Sequence, residues 1–378
     1  SHIACSSNET IMISKMAEFT AVILAASQGD RLYPLTGAGL AMDDEGQEPI
    51  VEDIATTASS SNAKPIPKHL LPIGGEPILA RLLQTVVASG FEECVILAGA
   101  EMEADIVALT NTVDLGAKCD CIVDVIALPS SCSGSADALR HLYSVKGENI
   151  ADVVVIPGDL VVEGKGLLGW LVDAHRRARY SKHASGCTML LSDVGEEDAD
   201  GMPLKESAKA KKGGFSRDEE DVEFIATTFP ALDCMRRVVL KQSKVDVEED
   251  EDFVGKTPKL IIPKAKLDAT CGLNVRTDLL DIHVYVFAPW VRHLLNERRN
   301  ITSLQEDLVP LLVSRQFSGV ASTFANDTNV LNYNLKDEPF VVVAQILPRG
   351  PRIALRACTI PSYLFACREI VAHSIKFP

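Results

Sequence analysis

Four short segments of this chain carry residue types that can hold a phosphate group. Residues 25–32 form a small, glycine-containing loop directly after an apolar run, and Arg31 in this loop could make a bidentate phosphate contact. Lys68 follows a rigid proline and supplies a point charge that can stabilise a transferring phosphate. Residues 133–139 form a small-residue turn that opens a helix, and Asp159 follows a buried strand, where a carboxylate can hold Mg²⁺. Together these residue types predict a nucleotide-binding site.

Each segment also has an ordinary structural interpretation. The first loop lacks both the G-K-[ST] of a Walker A loop and the G-x-G-x-x-G of a dinucleotide fingerprint, so it can equally be a tight strand-to-loop connection. Lys68 can equally be a solvated loop residue, and Ser133 or Ser135 can be a helix cap. Asp278 and Asp281 are candidates for a second metal-binding carboxylate, but the sequence does not show whether they converge with the first.

The elements that must position these segments alternate between strand and helix patterns up to residue 192. Strands are predicted at 19–26, 93–98, 120–128, 152–157 and 184–192, and helices at 77–90, 101–111, 134–145 and 166–179. Repeated strand–helix–strand crossovers favour parallel strands with helices on both faces. The fold class is therefore α/β, with a mostly parallel, doubly wound, Rossmann-like sheet.

The second half of the chain predicts shorter strands that suit a small antiparallel extension of this sheet. These strands are expected at 223–228, 235–241, 259–263, 272–276, 281–287 and 340–347, with helices at 290–298, 304–313 and 362–371. We expect residues 1–18 to be a tail that begins with a cloning remnant. Three polar segments without apolar periodicity are interpreted as mobile inserts, at 37–62, 194–223 and 245–252.

Composition limits the classes of partner and of metal site. The formal net charge of −15 argues against binding to nucleic acid or to a membrane surface, since both need a basic surface. The sequence has no apolar run long enough to span a membrane and no signal-peptide pattern. The ten cysteines include one C-x-C pair, Cys119 and Cys121, and no spacing typical of a zinc site. We therefore expect reduced cysteines in a cytosolic protein.

In order and spacing, the four segments resemble one enzyme family. The series LAASQGDRLYPLT, PKHLLPIGGEPIL, SGSADALR and VIPGDLV is similar to the sugar-nucleotidyltransferases, also called nucleotide-sugar pyrophosphorylases. The resemblance covers roughly residues 19–372, which we take as one domain, and is strongest before residue 160. It implies a nucleotide-binding site, either functional or vestigial, at Leu24, Ala25, Ala26, Ser27, Gly29, Arg31, Lys68, Gly134 and Asp159.

A narrower resemblance follows from RTDLLDIHVY at 276–285 and SLQEDLVPLLVSRQF at 303–317. These segments are similar to the gamma subunits of eukaryotic translation initiation factor 2B. The resemblance implies a non-catalytic subunit that pairs with the epsilon subunit, joins the other subunits of that complex and helps to bind initiation factor 2. Epsilon's separate helical domain then carries the exchange activity. The resemblance also implies a C-terminal left-handed β-helix, which we expect to be absent from these residues, either by truncation or because the subunit is naturally short.

Departures from the enzyme pattern favour the narrower resemblance. Ser27 stands where the enzymes have glycine, Asp30 where they have Thr or Ser, and His69 where they have proline. A side chain at the first position obstructs the approach of backbone to phosphate, and a carboxylate at the second repels it. We therefore expect no catalytic residues and no required cofactor. The alternatives are an active pyrophosphorylase, in which Arg31, Lys68 and Asp159 act with Mg²⁺, and a module that binds nucleotide without turnover.

Overall fold

A computed structural model of the chain defines the architecture. It describes residues 16–27, 29–36, 66–115, 120–147, 150, 152–164, 166–180, 184–193, 222–229, 236–243, 260, 262, 264–268, 272–324, 338–348 and 352–376. The predicted inserts 37–62 and 245–252 lie outside these residues, as do 194–221 of the third insert, most of the predicted strand 259–263 and residues 1–15 of the tail.

A ten-stranded sheet forms the centre of the molecule. Its strands are β1 (Phe19–Ala25), β4 (Glu93–Gly99), β5 (Ile122–Leu128), β6 (Asp152–Pro157), β8 (Ala184–Asp193), β9 (Glu223–Thr228), β10 (Arg236–Ser243), β11 (Leu273–Arg276), β12 (Leu279–Phe287) and β13 (Phe340–Leu347). Their order is β11-β9-β10-β13-β8-β12-β6-β1-β4-β5. β6, β1, β4 and β5 are parallel neighbours, whereas β12, β10 and β11 run against the other strands. The predicted α/β class, with an antiparallel extension, is confirmed.

Helices cover both faces because successive strand residues point to opposite sides. In β1, Val22 packs into one apolar cluster, while Ala21 and Ile23 pack into the other. The helices among the described residues are α1 (Ile78–Ala88), α2 (Glu103–Thr112), α3 (Ser135–Lys146), α4 (Leu167–Arg179), α5 (Lys264–Asp268), α6 (Val291–Glu297), α7 (Val309–Arg315) and α8 (Ile360–Lys376). Residues of α1, α2 and α4 belong to one cluster, and residues of α3, α6 and α7 to the other. The sheet is thus buried between two helical layers.

Several elements differ from the sequence predictions. Two small sheets were missed: the hairpin of β2 (Pro72–Ile73) with β3 (Glu76–Pro77), and the antiparallel pair of β7 (Leu160–Glu163) with β14 (Ile353–Arg356). The predicted helix 304–313 is divided. It begins as a widened turn at Leu304–Leu308, and α7 starts at Val309 because Pro310 has no N–H to continue a regular helix.

Within the described residues, no helix has the length and apolar character needed to cross a bilayer. In this part of the chain, Cys94, Cys132, Cys187 and Cys367 are free thiols.

Candidate functional site

The carboxyl ends of β1 and β6 open into a cavity of about 360 Å³. These strands are parallel neighbours with Leu24 opposite Pro157, so the loops that follow them leave the sheet side by side. The described lining residues are Leu24, Ala26, Ser27, Lys68, Leu128, Cys132, Ser133, Gly134, Ser135, Ala138, Val155, Pro157, Asp159, His283, Tyr285, Ser303, Leu304, Gln305 and Arg356. The structure thus brings together Leu24, Ala26, Ser27, Lys68, Gly134 and Asp159 of the predicted site.

The loop after β1 contributes less of the predicted site than its sequence suggests. Ala25 is buried, and the described lining residues include neither it nor Gly29 nor Arg31. Arg31 and Asp30 are both exposed. The expected repulsion between Asp30 and a bound phosphate therefore gets no support from the position of this residue.

Gly29 has a different role, because its lack of a side chain leaves room for the Lys68 side chain. Its φ angle is +92°, and a Cβ atom there would lie 2.7 Å from Cβ of Lys68. The hydroxyl of Thr36 donates a hydrogen bond to the Gly29 carbonyl at 3.3 Å, which fixes the turn. A glycine is needed here both for the left-handed backbone and for the close approach. It directs the Lys68 side chain toward the cavity.

The N-terminus of α3 is occupied by another part of the chain. The Ala136 N–H donates to the carbonyl of Thr302 at 2.9 Å, and the Ser135 hydroxyl accepts from the Leu304 N–H at 2.9 Å. A Cβ atom on Gly134 would lie 2.3 Å from the same Thr302 oxygen. Gly134 is thus required for contact between two backbone segments. The Ala136 N–H in this turn is thus already hydrogen-bonded within the chain.

Asp159 is fully buried and holds two cations. The Lys68 ammonium lies 2.7 Å from Oδ2 of Asp159. The Arg356 guanidinium donates from Nε to Oδ1 at 3.1 Å and from Nη2 to Oδ2 at 3.0 Å. Burial alone would raise the pKa of Asp159, but the charges and hydrogen bonds of Arg356 and Lys68 hold that pKa well below its usual range. Both oxygens of this carboxylate are therefore engaged, by a bidentate arginine and a lysine.

His283 and Arg356 are cavity residues that the sequence analysis missed. His283 has a φ angle of +58° at a bulge in β12, and its backbone N–H donates to Asp281 Oδ1 at 2.9 Å. Nη1 of Arg356 lies 2.7 Å from Nδ1 of His283. Burial, and then the charge of Arg356, lowers the pKa of His283 well below its usual value. The alternation of Asp281, His283 and Tyr285 along one strand was a usable signal, whereas Arg356 lies in a strand that was not predicted.

A buried polar network continues from the cavity into the antiparallel extension. Asp281 Oδ2 accepts from the Tyr285 hydroxyl at 2.7 Å and lies 3.4 Å from the Lys241 ammonium. Lys241 also pairs with Glu223 at 2.5 Å, and the Gln305 amide donates to the same Glu223 carboxylate at 3.3 Å. Asp281 is thus committed to this network.

Asp278, the other candidate for a second metal ligand, accepts from Arg276 Nε at 2.8 Å and from Nη2 at 2.6 Å. Neither Asp278 nor Asp281 is among the described lining residues of the cavity. Chemically, the cavity presents two cations that share one carboxylate and a histidine that burial keeps neutral. Tyr285 also lines the cavity, but its hydroxyl donates to Asp281.

The sequence of the chain is similar to those of known proteins. Residues 21–192 match the family of MobA-like NTP transferase domains. Over 360 residues the chain is 26% identical to the translation initiation factor eIF2B subunit gamma of Schizosaccharomyces pombe, covering 92% of this chain and 64% of that protein. Over 297 residues it is 23% identical to the subunit of the same name from Dictyostelium discoideum, covering 74% and 60%. The chain thus spans less than two thirds of these relatives, and the resemblance to gamma subunits predicted from the motifs is confirmed.

A solved structure from Bacillus anthracis, assigned as a glucose-1-phosphate thymidylyltransferase, aligns with a TM-score of 0.48 at 16% identity. The alignment covers 95% of this chain and 97% of that chain.

Proposed function

We propose that this chain is a non-catalytic subunit of the translation initiation factor 2B exchange complex. In this role it pairs with the epsilon subunit, joins the remaining subunits and helps to bind initiation factor 2 for GDP/GTP exchange in the cytosol. The 26% identity to a gamma subunit over 92% of the chain carries the proposal. This similarity extends well beyond residues 21–192, which match the nucleotidyltransferase family.

The cavity supports the non-catalytic part of the proposal. Phosphoryl chemistry depends on groups that stabilise negative charge as it develops on the reacting phosphate. Here Lys68 and Arg356 already neutralise Asp159. The Ala136 N–H in the first turn of α3 donates to the Thr302 carbonyl. Lys68, Arg356 and this amide are thus engaged within the chain.

The antiparallel extension supplies a candidate surface for the epsilon subunit. Among the described residues, its outer strand β11 pairs on one side only, with β9. Val275 on this strand is 43% exposed, and Phe229 beside it is 61% exposed. An unpaired strand edge with exposed apolar side chains is a favourable place for another chain to dock.

Co-purification with the epsilon subunit tests this proposal, together with GDP release from initiation factor 2. We expect a stable complex and faster release when the chain is added to the other subunits. Val275→Asp should weaken epsilon binding at least tenfold, because it places a charge on the docking edge. Ile122→Asp is the matched control, since Ile122 is 65% exposed on β5 at the opposite edge of the sheet. An epsilon subunit that does not bind the wild-type chain would refute the proposal.

A second candidate, an active nucleotidyltransferase, is favoured by the family match at 21–192. It predicts release of pyrophosphate from a nucleoside triphosphate and a sugar-1-phosphate. We expect no release across a panel of these substrates with Mg²⁺. We also expect none from the double variant Ser27→Gly, Asp30→Thr, which restores the loop of the enzymes, because the Lys68–Asp159–Arg356 contacts remain. Turnover that is lost in Asp159→Ala would instead establish the enzyme.

A further inference from the structure

The nucleotidyltransferase resemblance implies a magnesium ion at Asp159, and the surroundings of this carboxylate can be tested for fit. Mg²⁺ requires oxygen ligands at about 2.0–2.1 Å in an octahedral arrangement. The Asp159 side chain is 1% exposed, and hydrogen bonds from Lys68 and Arg356 occupy both of its oxygens. A metal ion could reach these oxygens only by displacing two cations from a buried anion.

The neighbouring residues do not provide a replacement set of ligands. Asp281 is bonded to Tyr285 and lies against Lys241, and Asp278 is bonded to Arg276. Among the residues that the structure describes, no group of three His, Cys, Asp or Glu side chains is arranged to hold a metal ion. The positive charges of Lys68 and Arg356 would also repel a divalent cation at this position. The residues present therefore do not fit magnesium.

The same contacts have a clear structural effect, because they join three segments that are distant in sequence. Lys68 lies in the turn before β2, Asp159 lies between β6 and β7, and Arg356 ends β14. The Ala357 N–H also donates to the Asp159 carbonyl at 2.8 Å, so side chain and backbone of this aspartate hold the same strand. Replacing one partner of such a buried cluster leaves an uncompensated charge, which is strongly destabilising.

We infer that Asp159 is not a magnesium ligand in this chain but the shared anion of a buried ion triad with Lys68 and Arg356. The triad fixes the floor of the cavity, and any ligand in the cavity is bound without a divalent cation on Asp159. This inference is independent of the proposed subunit role, since a gamma-like subunit could either retain or lose a metal site.

A titration with Mn²⁺ tests whether Asp159 belongs to a metal site. The electron paramagnetic resonance signal of the free ion measures how much Mn²⁺ is bound. The wild-type chain and Asp159→Asn should bind equal amounts, because weak sites on the acidic surface contribute equally to both. One additional equivalent in the wild type would overturn the inference.

Thermal unfolding tests the triad itself. Asp159→Asn should lower the unfolding midpoint by roughly 5 °C or more, whereas the exposed control Asp173→Asn should change it by less than about 1 °C. The double variant Asp159→Asn, Arg356→Gln should recover part of the loss, because it removes the stranded charge of Arg356. An Asp159→Asn protein that melts at or above the wild-type midpoint would contradict the triad.

If Asp159→Asn does not fold, Arg356→Gln tests the triad in its place. This variant is expected to fold because Lys68 still neutralises Asp159. We expect a midpoint several degrees lower and unchanged Mn²⁺ binding. A wild-type midpoint in Arg356→Gln would show that Asp159 does not depend on Arg356, and would overturn the inference.

Discussion

Arg140 holds the chain segment that closes the N-terminus of α3, and replacing it is the sharpest test of the local architecture. Its side chain is 5% exposed. Nε donates to the carbonyl of Leu295 at 2.7 Å, and Nη2 donates to the carbonyls of Arg298 at 2.7 Å and Ile301 at 2.6 Å. Nη1 is paired with Asp137. Arg140→Met keeps much of the volume of this side chain and removes every donor.

The expected cost follows from the three backbone acceptors. Hydrogen bonds to a charged donor contribute roughly 1.5–3 kcal/mol each, and a buried acceptor left without a partner costs about 1–3 kcal/mol. Two effects reduce the sum: burial of the guanidinium in the wild type is itself costly, and the freed turn can move toward water. We therefore expect Arg140→Met to lower the free energy of unfolding by about 3–5 kcal/mol.

Urea unfolding measures this loss, and amide hydrogen exchange locates it. Because Thr302 follows the released turn, the Ala136 N–H should lose its partner and exchange faster in the variant. Arg315→Met is the control, since Arg315 is exposed at the end of α7 and its replacement should cost less than about 0.5 kcal/mol. A loss below about 1 kcal/mol for Arg140→Met, with an unchanged urea slope, would refute the reasoning.

Two further predictions concern positions close to the cavity. Gly134→Ala should lower the free energy of unfolding by at least about 2 kcal/mol, because the new Cβ would lie 2.3 Å from the Thr302 oxygen. Gly169→Ala should be neutral or slightly stabilising in the same urea titration, since its nearest neighbour would be a side-chain methyl at 3.4 Å. Burial, and then the charge of Lys68, lowers the pKa of His69 to about 4. In the unfolded chain this histidine takes up a proton near pH 6.5, whereas in the folded chain it stays neutral until about pH 4. Protonation below pH 6.5 therefore favours the unfolded state. The free energy of unfolding should fall by about 2 kcal/mol between pH 8 and pH 5 because of His69. His69→Gln should lack that part of the pH dependence, and an identical profile for both proteins would contradict the assignment.

The parallel half of the fold could be predicted because its signals are local. β1, β4 and β6 are continuous apolar runs that are buried on both faces, and such runs stand out in a sequence without any knowledge of their partners. The ends of two of these strands carry predicted site residues, and their parallel register places Leu24 opposite Pro157. Lys68, Gly134 and Asp159 line the cavity at that edge of the sheet.

The chemistry of that cavity depends on contacts that no local pattern announces. Arg356 lies 197 residues after Asp159, in a four-residue strand whose apolar positions are too few to show a period. It reaches the carboxylate only because β14 pairs with β7, which itself directly follows Asp159. A sequence motif identifies the aspartate, but the charge that the cavity presents to a ligand depends on the partners of that aspartate. An Asp at the end of a parallel strand is therefore insufficient evidence for a metal site. The decisive observation is whether its oxygens are available, and in this chain Lys68 and Arg356 occupy them.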